Sequence, residues 1–258
     1  MSENISGWTS DLSKRFPGHY ETLRGVVRQR LVFRQLGEHL EGSPARICDV
    51  GGGVGHQAIP LARLGYEMTI LDSSEEMLQR ARDALASENG SVRERVRLVR
   101  GTGEDAPRIL EGETFDAVLC HGVLPYLEDP EPLVRALTEI SRPGAVVSVL
   151  TKNAEALAMR PALEGRYRDA LSAFDSDRDT GGLRVVTRGY TILSLLGMLK
   201  ENGVEPIQWY GIRVFTDHLG DQRPGPDLTD VLEAEWEAGL RDPYRRVARL
   251  IHLIGRKR

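Results

Sequence analysis

The 258-residue chain has two cysteines, and aromatic residues make up 6% of it. Cys48 and Cys120 both fall inside predicted buried strands. They are expected to be reduced core thiols, which excludes a disulfide framework or a thiolate metal site. No run of eighteen apolar residues occurs, so no membrane-spanning helix is expected. The opening residues, Met1 to Ser6, lack a basic-then-apolar signal region, and a cytoplasmic location is the expectation. Positive charge is not in excess: the formal net charge is −4. That argues against a protein coated in basic residues, although it leaves room for a local patch. The six histidines are scattered and no acidic cluster has ligand spacing, so no metal centre is expected. Repeats and low-complexity tracts are also missing.

What is present is concentrated between residues 45 and 72. Ala45 to Val50 reads as a short apolar strand, and Gly51, Gly52, Gly53 and Gly55 follow it. Glycines there let the backbone turn sharply and approach a ligand that a Cβ would push away. A helix is expected to begin near His56. The next strand, Glu67 to Asp72, ends in an acid placed to accept hydrogen bonds from two ribose hydroxyls. A dinucleotide fingerprint needs a glycine or alanine where His56 stands, and no Gly-Lys-Ser/Thr follows to make a phosphate loop. The pattern is instead acid-x-G-x-G-x-G, with Asp49 two residues ahead of the first glycine.

That segment closely resembles the signature of class I S-adenosylmethionine methyltransferases. Alternating elements agree with it. Strands are predicted at 46–50, 67–72, 95–99, 114–120 and 146–150, with helices at 77–86 and 130–140 between them. This is the pattern of a doubly wound parallel sheet. Helices are expected at 154–174, 190–202 and 227–240, an acidic loop at 175–182, and a final antiparallel strand pair at 207–215 and 250–254. The expected fold is α/β, Rossmann-like, with a mostly parallel seven-stranded sheet whose last strand is antiparallel. It forms one domain: an N-terminal helical lid (1–44), a cofactor-binding core (45–152), a substrate-side insertion (153–188) and a C-terminal helix and strand pair (189–258).

Ligands of such folds bind at the carboxyl ends of the strands. Those ends carry Asp49 to Gly55, Asp72 and Ser73, Gly101 to Asp105, and His121 to Tyr126. Glu104 and Asp105 stand where this fold presents an acid or amide to an adenine amino group, and Asp105 is equally a helix N-cap. His121 reads as a cofactor contact, a general base or a structural histidine. Tyr126 faces either the substrate or the core.

The whole chain further resembles the tRNA methyltransferases that convert wobble 5-carboxymethoxyuridine to its methyl ester. The residues that carry this are Arg28-Gln29, Asp49 to Gly53, His121 to Leu124 with Asp129-Pro130, Gly211 to Leu219, and Tyr244 to Lys257 with Ile251-His252. The resemblance covers residues 25 to 257. It implies S-adenosylmethionine as cofactor, contacted by Arg28, Gly52, Gly53, Asp72, Gly103, Glu104 and His121, with Arg28 on the methionine carboxylate. The glycine pattern adds Asp49, Gly51 and Ser73. Val54 stands where the family usually has an acid, Glu104 where it usually has an amide, and 160–187 matches poorly. The implied acceptor is tRNA; the alternative is a small-molecule O- or N-methyltransferase, and a non-catalytic cofactor-binding module is a third reading.

A carboxylate acceptor is already ionised and needs no general base, only positioning and a cation. Arg213 is the candidate cation, with pairing to an acid such as Asp217 as its other reading. Arginines near both ends of the chain (24, 28, 30 and 34; 241, 245, 246, 249, 256 and 258) would track a phosphate backbone if they gathered on one rim.

Overall fold

The computed structural model describes residues 20–40, 42, 45–180 and 186–258. Met1 to Ser6 and Gly182 lie outside them, as does most of the segment ahead of the first helix. Among the described residues nine strands form: β1 (Arg46–Val50), β2 (Glu67–Asp72), β3 (Val96–Arg100), β4 (Phe115–His121), β5 (Ser141–Lys152), β6 (Arg178–Thr180), β7 (Val186–Arg188), β8 (Val204–Ile212) and β9 (Leu250–Lys257). Seven of them make one sheet in the order β3-β2-β1-β4-β5-β9-β8, while β6 and β7 pair separately. β9 runs antiparallel to both β5 and β8, so the last strand is inserted between two others.

Alternation along each strand builds two cores. Ile47, Ile70 and Leu119 pack on one face, while Cys48, Leu71 and Cys120 pack on the other. A parallel sheet needs helices on both faces, and the largely apolar runs Ile47 to Val50 and Ala117 to Cys120, broken only at Asp49, follow from that. The helix Leu23–Gly37 covers the first face with Val27, Leu31 and Leu36. Its N-cap is Thr22, whose hydroxyl accepts from the Gly25 N–H. Ser74 caps the helix Glu75–Ala86 in the same way, and Glu75 and Glu76 complement its dipole. Both cysteines are buried and free. No described helix is long and apolar enough to cross a membrane.

Several expected boundaries move for identifiable reasons. The helix after the glycine loop starts at Ala58 rather than near His56, because Gly51, Gly53 and Gly55 all take positive φ and prolong the turn. β5 begins at Ser141 rather than at Val146 and runs on to Lys152, with a break in its pairing to β4 between Ser141 and Val146. The single helix expected over 154–174 breaks into a short turn at Ala154–Ala156 and helices Met159–Leu163 and Tyr167–Ala173. Gly165, at φ +77°, ends the earlier of these. The acidic stretch expected as a loop holds β6, whose partner β7 lies beyond it in sequence and leaves no local signal.

Candidate functional site

A cavity of about 740 Å³ opens at the carboxyl ends of β1, β2, β4 and β5. The strand order reverses between β1 and β4, the switch point at which ligands of this architecture bind. Gly51, Gly52 and Gly53 form one wall. A Cβ on Gly51 would sit 2.2 Å from Val123 Cγ2, and one on Gly52 would meet the Asp49 carboxyl at 2.7 Å. Only glycine keeps both the loop conformation and the open cradle.

Asp72, at the end of β2, lines the cavity and is pinned by the loop. The Gly53 N–H donates to Oδ2 at 2.9 Å, and the Ser74 N–H donates to Oδ1 at 2.8 Å. Each carboxylate oxygen keeps a further lone pair for a ligand hydroxyl. Ser73, Gly103 and Glu104 line the same end. Gly103 is held close between Val50 and Leu133, where a Cβ would lie 2.8 and 2.4 Å from their methyls. Asp105 turns away: its carboxylate takes the Thr102 hydroxyl at 3.1 Å and pairs with Arg108 at 3.2 Å.

Asp49 lies beneath the glycine loop and off the cavity wall, 3% exposed. Burial, reinforced by Asp72, pushes its carboxyl up to about 7 against the pull of Arg28. The folded chain therefore holds a proton there that the unfolded chain has released above about pH 4. Stability from this group is full below that pH and is lost as pH rises through about 7, by at most about 4 kcal/mol. Thermal melts of the ligand-free protein should fall across about pH 4 to 7, and Asp49→Asn should flatten that slope. An unchanged slope would remove Asp49 as its source.

Arg28 projects from the N-terminal helix into the cavity and donates to the His121 carbonyl at 3.2 Å. Tyr126 and His121 also line it. Burial first, then His252 and Arg28, push the His121 imidazole well below its ordinary pKa, so the ring is neutral at physiological pH. A guanidinium, an acceptor pair at Asp72 and an acid at Glu104 suit a zwitterionic ligand that carries adjacent hydroxyls.

The opposite wall is cationic. Lys152, Arg160, Arg213 and Arg249 all line the cavity. Asp217 takes Arg160 bidentately at 2.6 and 2.8 Å, Arg213 at 3.2 Å and Arg249 at 3.8 Å. Asp179 pairs with Lys152 at 2.9 Å and with Arg249. Four cations thus share two carboxylates, and two positive charges go unmatched within this network. Burial would raise Asp217, but the three guanidiniums hold it below the usual carboxylate range. Burial pushes Lys152 down to about 8, with Arg249 adding to the effect.

Both readings of Arg213 meet here, since it pairs with Asp217 and also faces the cavity. Its backbone is left-handed, at φ +62°. The loop it opens is tied down by Glu235, fully buried on the helix Leu228–Leu240. That carboxylate accepts from the backbone N–H groups of Val214, Phe215 and Thr216 at 2.7 to 3.0 Å. Sequence reasoning passed over Lys152 and Arg160 and saw Arg249 only as part of a basic tail.

The two arginine groups do not gather on one rim. Arg24 pairs with Asp221, and Arg34 pairs with Glu233 while stacking 3.9 Å over Trp236. Arg245 stacks 4.0 Å over Trp209 and pairs with Asp242. Because β9 is antiparallel, Leu250 sits beside Lys152 at the cavity, and Arg256 sits beside Val146. Six residues of strand separate the two ends, about 20 Å. Only Arg24, Arg28 and Arg249 of those groups reach the cavity wall.

Residues 48–149 match the methyltransferase domain family. The tRNA 5-carboxymethoxyuridine methyltransferase of Escherichia coli O157:H7 is 29% identical over 252 residues, 96% of this chain and 95% of that one. A ubiquinone biosynthesis O-methyltransferase of Xanthomonas axonopodis pv. citri is 31% identical, over 49% of this chain and 51% of its own. The crystal structure of an S-adenosylmethionine-dependent methyltransferase from Mesorhizobium loti superposes with a TM-score of 0.61 at 20% identity, covering 90% of this chain and all of that one.

Proposed function

The chain is an S-adenosylmethionine-dependent methyltransferase, and on that premise we propose that its acceptor is a carboxylate, that of 5-carboxymethoxyuridine at the wobble position of tRNA. The observation that carries this reading is the cationic wall of Lys152, Arg160, Arg213 and Arg249, with its surplus of positive charge. The nearly full-length similarity to a protein named for that activity supports it as well.

The cofactor end of the cavity fits S-adenosylmethionine. The cradle at Gly51 and Gly52 has no space for a Cβ. Arg28 would hold the methionine carboxylate, Asp72 the ribose hydroxyls, and Glu104 the adenine amino group. When bound, the cofactor supplies an electrophilic methyl group on a sulfonium. The protein's part is then positional. The cationic wall holds the acceptor carboxylate in its ionised form and orients one oxygen toward the methyl group. No residue has to remove a proton, because the acceptor has none to give. The 153–188 segment is the acceptor side of the site, contributing Arg160 and Asp179, and the N-terminal helix is its lid.

The test is transfer of radiolabelled methyl from S-adenosylmethionine to bulk tRNA carrying unesterified carboxymethoxyuridine, followed by nuclease digestion. A labelled, base-labile nucleoside is expected. No label, with cofactor binding intact, overturns the tRNA acceptor and points to a small carboxylate. The described basic residues near both ends of the chain lie mostly away from the cavity, which makes that arm worth running.

A further inference from the structure

His121 is held from both sides by a single helix. From residue 28 of the helix Leu23–Gly37, a guanidinium donates to the His121 carbonyl at 3.2 Å. From residue 35, a second arm reaches the imidazole through two intermediates. Gln35 Oε1 lies 2.6 Å from His252 Nδ1, His252 Nε2 lies 2.7 Å from Ser148 Oγ, and Ser148 Oγ lies 2.8 Å from His121 Nε2. The sheet sets this spacing. His121 on β4 and His252 on β9 both register with Leu150 on β5, and Ser148 lies two residues earlier, on the same face. Gln35 is 1% exposed; Ser148 and His252 are fully buried.

The chain of hydrogen bonds has a direction. Gln35 Oε1 only accepts, so His252 donates from Nδ1 and keeps a lone pair on Nε2. The Ser148 hydroxyl donates to that lone pair, and its oxygen accepts from His121 Nε2–H. His121 is thereby left with a bare lone pair on Nδ1. Among the described residues that atom has no hydrogen-bond partner, and it is shielded from water. Burial holds both rings neutral, with His252 pushed down to about 3.

We infer that Gln35, His252 and Ser148 are positioning residues that fix His121 as its Nε2–H tautomer and so hold its ring in place at the cofactor end of the cavity. With Nε2 committed to Ser148 and Nδ1 shielded from water, His121 is a fixed contact rather than a base. The relay also couples the helix that supplies Arg28 to the ring beside it. The inference concerns cofactor binding and stands whether or not the acceptor is tRNA.

The experiment has two readouts. Long-range ¹⁵N–¹H correlation on the ligand-free wild-type protein reports which nitrogen of each histidine bears the proton. His121 protonated on Nε2 is expected; a proton on Nδ1 overturns the proposal. Calorimetry then measures S-adenosylmethionine affinity in variants. Ser148→Ala and Gln35→Leu should each weaken it about tenfold and mix the His121 tautomers, the low end of the loss seen when the partner that orients a metal-ligating histidine is removed. Ser148→Thr, which keeps the hydroxyl, should stay within about threefold of wild type. Gln35→Leu reads the relay from its far end if Ser148→Ala fails to fold. Folded Ala and Leu variants with wild-type affinity overturn the relay. So does an affinity loss that leaves the tautomer unmixed, or one that Ser148→Thr shares in full, since packing would then be the cause.

Discussion

Asp72→Ala should weaken S-adenosylmethionine binding on the order of 100-fold by calorimetry. Hydrogen bonds to a charged group are each worth about 1.5–3 kcal/mol, and the ribose offers two donors to one carboxylate. The effect is large because nothing else at that position can substitute. The Gly53 and Ser74 N–H groups that pin Asp72 are themselves donors and would face the hydroxyls unpaired once it is gone. Asp72→Asn, which keeps one acceptor oxygen and the side-chain volume, should fall between wild type and alanine. Affinity within threefold of wild type in Asp72→Ala would end the ribose assignment.

Arg213→Ala should lower kcat/KM for the acceptor about 100-fold, the worth of about 3 kcal/mol of charge-assisted contact. Cofactor affinity should be nearly unchanged. Asp217 retains Arg160 and Arg249 in this variant, so no carboxylate is stranded. Folding and chemistry can still be separated, because Arg213 sits at φ +62°. Arg213→Gly relieves a left-handed cost of about 1 kcal/mol that Arg213→Ala keeps. The glycine variant should therefore melt higher than the alanine variant while being equally poor in turnover. Equal loss of turnover and cofactor affinity in both would make Arg213 a structural arginine, with Asp217 as its whole purpose.

The cofactor end was legible because it is local. Asp49 to Gly55 and Asp72 lie on adjacent parallel strands joined by one helix, and that unit fixes their separation wherever it occurs. Short apolar runs along β1, β2 and β4 located the strands, though not their ends. Boundaries shifted where backbone conformation rather than pattern decides, as at the positive-φ glycines. Asp105 read as well as Glu104 in sequence. Only its contacts with Thr102 and Arg108 separate the two.

On the cationic wall only Arg213 and its partner Asp217 were legible, and the relay behind His121 was not. Lys152, Arg160, Asp179, Arg213, Asp217 and Arg249 come from five separated stretches of chain. What brings them together is β9 entering antiparallel between β5 and β8, which sets Leu250 beside both Lys152 and Ile212. The same insertion puts His252 opposite Leu150 and carries Arg256 and Lys257 to the far end of the sheet. A strand's order in a sheet depends on which apolar faces the whole chain can bury together. Spacing along the sequence records only what neighbouring residues must do. So the sequence alone determined the sheet, its glycine cradle and the cofactor. The tertiary structure decided which cations line the cavity and which side chains hold His121.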